Sequence, residues 1–85
     1  MTWTVHIDEV AKKALRRFPS RDTERIKTAL RDFESNPYLG DVEKLGGEDV
    51  SWRRRVGSYR IFYDVLVNQR IIFVTKIQRR TSSTY

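Results

Sequence analysis

The stretch Trp52-Arg53-Arg54-Arg55-Val56-Gly57-Ser58-Tyr59-Arg60-Ile61-Phe62-Tyr63 decides how the rest of the chain is read. Gly57-Ser58 is a two-residue break of the kind that joins antiparallel strands, and the residues on either side of it read as strands. Tyr59, Ile61, Tyr63 and Val65 recur at even spacing, which marks one side of the second strand as the core side. With Trp52 and Val56 facing that core, alternation sends Arg53 and Arg55 together to the opposite face, and Arg60 follows just past the turn. The same alternation puts Arg54 on the core side. Its stem can run past Trp52 to solvent if this strand is the sheet edge.

Outward from this hairpin, Asn68-Gln69 is a second short break, so three strands follow one another: Trp52 to Val56, Tyr59 to Val67 and Arg70 to Ile77. Upstream, residues 37–50 are rich in Pro, Gly and Asp and read as a loop, with Lys44-Leu45-Gly46-Gly47 its most distinctive part. Before it, Ile26, Ala29, Leu30 and Phe33 form a helical stripe that starts at Ser20 or Asp22 and stops at Asn36-Pro37. Another stripe, Val10, Ala11, Ala14, Leu15 and Phe18, is opened by Asp8 as a cap and closed by Pro19. Thr2 to Ile7 alternates as a half-buried strand with Trp3, Val5 and Ile7 on one face and His6 on the other. The expected fold is α+β, in the order β-α-α-β-β-β. A two-helix hairpin packs on one face of a small, mainly antiparallel four-stranded sheet, and the other face stays open.

Composition sets the limits. The 85 residues suit a single domain, 1–85, and 39% hydrophobic content supplies a core that a disordered chain lacks. No apolar run approaches the length of a membrane span, and the start MTWTVHIDEV has no signal-peptide pattern. Without cysteine there is neither a disulfide framework nor a cysteine-zinc site. These features fit a cytoplasmic protein with no membrane partner. The net charge of +6 is unevenly spread. Residues 1–44 hold nine basic and eight acidic side chains, whereas residues 45–85 hold eight and three, so the excess sits in the second half, where the hairpin is.

That placement points to an anionic partner. Arg53, Arg55 and Arg60, with Arg79 and Arg80 at the end of the third strand, can gather on one shallow surface. Arginine binds phosphate through paired hydrogen bonds and stays charged at neutral pH. A run of arginines also serves simply as a solvated strand face. The sequence holds no Ser/His/Asp set, no phosphate-binding glycine loop and no metal-ligand cluster. No cofactor and no metal are therefore expected.

Lys44-Leu45-Gly46, the hairpin motif from Trp52 to Tyr63, and the strand Ile71 to Ile77 with Arg79 together resemble the RelE/ParE toxin superfamily over nearly the whole chain. The resemblance implies a toxin of a type II toxin–antitoxin pair, held inactive by a cognate antitoxin. In RelE-like members it implies a metal-independent endoribonuclease that cuts mRNA on the ribosome. The RNA 2′-hydroxyl attacks the adjacent phosphorus and leaves a 2′,3′-cyclic phosphate. Carried over, Arg60 and Arg79 stabilise the phosphorane charge, Arg53 and Arg55 hold the RNA backbone, and Tyr85 orients the reacting base or moves a proton. Lys44 and Arg80 add RNA contacts. A ParE-like inhibitor of DNA gyrase is the alternative the resemblance leaves open, and it needs neither Arg79 nor Tyr85. A non-catalytic nucleic-acid or antitoxin-binding module is the other.

Overall fold

The computed structural model describes residues 2–45 and 51–80. Its elements are β1 (Thr4–Ile7), α1 (Glu9–Arg17), α2 (Ser20–Ser35), β2 (Val42–Lys44), β3 (Ser51–Val56), β4 (Tyr59–Leu66) and β5 (Ile71–Arg79). They form one five-stranded sheet in the order β1-β5-β4-β3-β2. β1 runs parallel to β5, and every other neighbouring pair is antiparallel.

The α+β class, the helix hairpin and the mainly antiparallel sheet match the expectation. The strand count does not: β2 lies within the stretch read as a loop. Three residues are too few for alternation to register. Their ladder is supplied by a partner distant in sequence, with Val42, Glu43 and Lys44 opposite Arg54, Arg53 and Trp52. β3 is therefore not the edge of the sheet, and Arg54 reaches solvent differently from the expected route.

The helices pack on one face. Ile26, Ala29, Leu30 and Phe33 of α2 are all buried, against Tyr59, Ile61, Tyr63, Val65, Ile72, Val74 and Ile77 of the sheet. Asp8 caps α1 by accepting from the Val10 N–H at 3.3 Å. Phe18 turns to extended backbone before Pro19, as the clash with the proline ring requires. Thr23 Oγ1 then donates to the Leu15 carbonyl at 3.2 Å, tying the start of α2 to the last turn of α1. Val10, expected in the α1 stripe, is 60% exposed. It lies about 100° round the helix from Ala11 and falls outside the buried arc.

Two details set the phase of the open face. Gly57 takes a φ of +58°, and glycine at the first of two turn residues suits a hairpin turn of mirror-image type. Between β4 and β5 the register shifts: Phe62 lies opposite Lys76 but Tyr63 opposite Val74. Thr75 is the extra residue, and its hydroxyl donates to the Phe62 carbonyl at 3.2 Å. The bulge lets Ile72, Val74 and Ile77 all face the core despite their uneven spacing.

Candidate functional site

Register alone assembles the arginine face. Arg55 stands directly opposite Arg60, Arg53 opposite Phe62, and Arg60 in turn opposite Gln78. Their neighbours Ile61, Tyr63 and Tyr59 are buried under the helices, so these arginines project from the other side of the sheet. Just past the β5 end, the Arg80 N–H donates to the Ser58 carbonyl at 2.6 Å, which holds that residue against the β3–β4 turn. Arg60 reports the resulting field. Partial burial and then the charges of Arg80, Arg53 and Arg55 lower its pKa from the usual arginine range, and Glu43 acts in the opposite direction. Like charges directly across a ladder repel, so this cluster works against folding.

The face is also short of internal partners. Arg53 Nε and Arg60 Nε are buried without a hydrogen-bond partner. Arg53 pairs with Glu43 across the β2–β3 ladder, and Arg55 Nε lies 3.7 Å from an Asp41 carboxylate oxygen. Arg60 has no ion pair among the described residues. An incoming phosphate would offset the repulsion through the outer N–H donors of the guanidinium groups.

The expected residues do not all meet here. Arg53, Arg55, Arg60 and Arg80 do. Arg79 shares its face with Ile77 and lies on the helix side, its guanidinium 5.9 Å from the Tyr59 ring centroid. This corrects the expectation of one surface holding both Arg79 and Arg80. Lys44 stands opposite Trp52, on the helix side as well, so the pleat separates it from the arginine face. Tyr85, like Gly46 and Gly47 of the loop motif, lies outside the described residues. Arg54 belongs to the back of the site. It lies on the core side, with Nη1 3.4 Å from Asp32 Oδ2 and its guanidinium over the Phe33 ring at 5.9 Å.

Sequence reading missed two carboxylates, Glu43 and Asp41. Their signal is weak, because only the unforeseen β2 ladder brings them to Arg53 and Arg55. The tyrosines of β4 are structural, as their spacing suggested. Tyr63 is 1% exposed and donates to the Pro37 carbonyl at 2.7 Å, and burial pushes its pKa well up. Tyr59 donates to Asp22 at 2.7 Å, and burial followed by that carboxylate raises its pKa too.

Known proteins share this fold and sequence pattern. The family described as ParE toxin of type II toxin-antitoxin system, parDE, matches residues 5–83. A Methanocaldococcus jannaschii protein named as toxin RelE1 is 32% identical over 83 residues, covering 94% of this chain and 92% of its own length. The archaeal RelE of Pyrococcus horikoshii OT3, solved as a RelE–RelB complex, superposes with a TM-score of 0.85 at 30% identity, covering 98% of this chain and 100% of that one. The isolated E. coli RelE toxin has the same fold, with a TM-score of 0.81 at 24% identity over 95% of this chain and 87% of that one.

Proposed function

Because the chain belongs to the RelE/ParE toxin superfamily of type II toxin–antitoxin systems, we propose that it is a RelE-like, ribosome-dependent endoribonuclease that inhibits translation in the cytoplasm. The observation that carries this reading is the cluster of Arg53, Arg55, Arg60 and Arg80 on the helix-free face of the sheet. A strand face kept merely soluble has no need of arginines directly opposite one another. A phosphodiester passing through a doubly charged phosphorane does need them.

In this mechanism the mRNA 2′-hydroxyl attacks the adjacent phosphorus, the 5′-oxygen leaves, and a 2′,3′-cyclic phosphate remains. Arg60 stands at the centre of the positive field and stabilises the charge that develops on the phosphorane. Arg53 and Arg55 hold the flanking backbone, with Arg80 closing the side next to the turn. Arg79, turned toward Tyr59, supports that end of the sheet from behind. Tyr85 is the proposed residue for orienting the reacting base. The ribosome contributes the splayed, in-line substrate geometry that is the costly part of such a reaction. The partner that restrains the toxin is a cognate antitoxin, as RelB accompanies RelE in the Pyrococcus complex.

Purified protein added to programmed ribosomes is expected to cut the mRNA into fragments ending in cyclic phosphate, and to leave the same mRNA intact without ribosomes. Intact mRNA on the ribosome, together with accumulating cleaved gyrase–DNA complexes in a gyrase reaction, would replace this reading with a ParE-like one.

A further inference from the structure

The arginine face carries its own anion. Glu43 lies on β2, the edge strand, directly opposite Arg53, and its carboxylate engages the Arg53 guanidinium. The Arg53 side chain is only 17% exposed, whereas that of Glu43 is 60% exposed. The carboxylate therefore lies on the solvent side of the guanidinium, where a phosphate would arrive. Asp41, two residues earlier, stands beside Arg55 more loosely, with 3.7 Å between carboxylate oxygen and Nε and a backbone bond of 2.9 Å from the Arg55 N–H to the Asp41 carbonyl. Among the described residues, Glu43 is also the group that offsets the field at Arg60, against Arg80, Arg53 and Arg55.

A carboxylate and a phosphodiester present the same kind of acceptor to a guanidinium. Exposed ion pairs contribute little to a fold, so this one is easily exchanged for a stronger ligand. β2 itself is three residues long and is held on one side only.

We propose that Glu43, assisted by Asp41, is an internal competitor for RNA phosphate: it occupies the Arg53 guanidinium until a backbone held in place displaces it, and so sets the selectivity of this face against isolated single-stranded RNA. The proposal rests on the reading of the arginine face as an RNA surface. A free, flexible strand must displace the carboxylates and lose its own freedom at the same time. A strand already ordered bears only the first of these costs.

The test is equilibrium binding of a fluorescent 2′-O-methyl RNA oligonucleotide, which cannot be cleaved, across a series of salt concentrations. Glu43→Gln is expected to bind about tenfold tighter than the parent at low salt, the scale of one charge-assisted hydrogen bond. Its log–log salt dependence is expected to steepen by about 0.7, as one more phosphate contact predicts for a single strand. Glu34→Gln, the same charge change on the exposed end of α2, is the control and is expected to gain less than about twofold. In an Arg53→Ala background the gain from Glu43→Gln is expected to fall to that control level, which a merely structural role for Glu43 would not produce. A Glu43→Gln protein that binds no tighter than the control variant, or binds more weakly, overturns the proposal. If the parent and every variant fail to bind RNA and Arg60→Ala cleaves normally on the ribosome, it is the RNA reading of the face that fails, and the competitor falls with it.

Discussion

Arg55 and Arg60 face each other across the β3–β4 ladder, and a protein selected for stability alone would separate them. Removing the central charge therefore separates function from folding. Arg60→Ala is expected to lower single-turnover mRNA cleavage on ribosomes about 100-fold or more, by analogy with the loss of one preorganised oxyanion donor. Its thermal midpoint is expected to stay the same or rise, because the repulsion is gone. The neighbours at the end of β5 provide a sharper comparison. Arg80→Ala is expected to slow cleavage more than Arg79→Ala, since only Arg80 joins the field around Arg60. Equal losses would mean that Arg79 reaches across the end of the strand. Much of this site was legible from alternation: Arg53, Arg55 and Arg60 follow from the even spacing of Tyr59, Ile61 and Tyr63. The face of Arg79 is legible by the same rule, since it lies two residues from buried Ile77. The carboxylates were not legible, because a cross-strand contact between sequence-distant residues leaves no local periodicity.

At the scale of the elements, β2 is the part whose existence depends on others. Gly40 turns the chain into it with a φ of +91°, and a Cβ there would stand 2.9 Å from Arg54 Cζ. Arg54 has little room to yield, since it is held between Asp32 and the Phe33 ring. Gly40→Ala is thus expected to destabilise the protein by about 1–3 kcal/mol, from backbone strain at a left-handed position. Urea unfolding checks this, and an unchanged midpoint would show that the turn can be rebuilt. The helices and the three long strands were readable because each carries its own stripe: Ile26, Ala29, Leu30 and Phe33 on α2 repeat at helical spacing. The bulge at Thr75 was hidden for the opposite reason. Residues 71–74 are apolar without interruption, so the sequence does not say where the phase changes.

Across the whole molecule, two buried tyrosines link the sheet to the chain on its helix side, and both keep their protons beyond the usual pKa of 10.0. In the unfolded chain they ionise near that value. Above it the folded state binds more protons than the unfolded state, so stability is intact below about pH 10 and falls as pH rises from there toward the folded pKa values. Tyr63→Phe is expected to flatten this alkaline decline while lowering stability at neutral pH by about 1–3 kcal/mol, because the buried Pro37 carbonyl loses its donor. Urea midpoints at a series of pH values measure both effects, and a decline of unchanged steepness in the variant would place its origin elsewhere. The parallel pairing of β1 with β5 acts on the molecule's history. Thr4 lies beside Ile71 and Ile7 beside Val74, so β1 has no strand neighbour until β5 has been translated. Val5 and Ile7 must wait unpaired, and closing so large a loop makes the finished sheet slow to form. In the toxin proposed above, that wait is an interval in which an antitoxin can meet the chain before its sheet is complete.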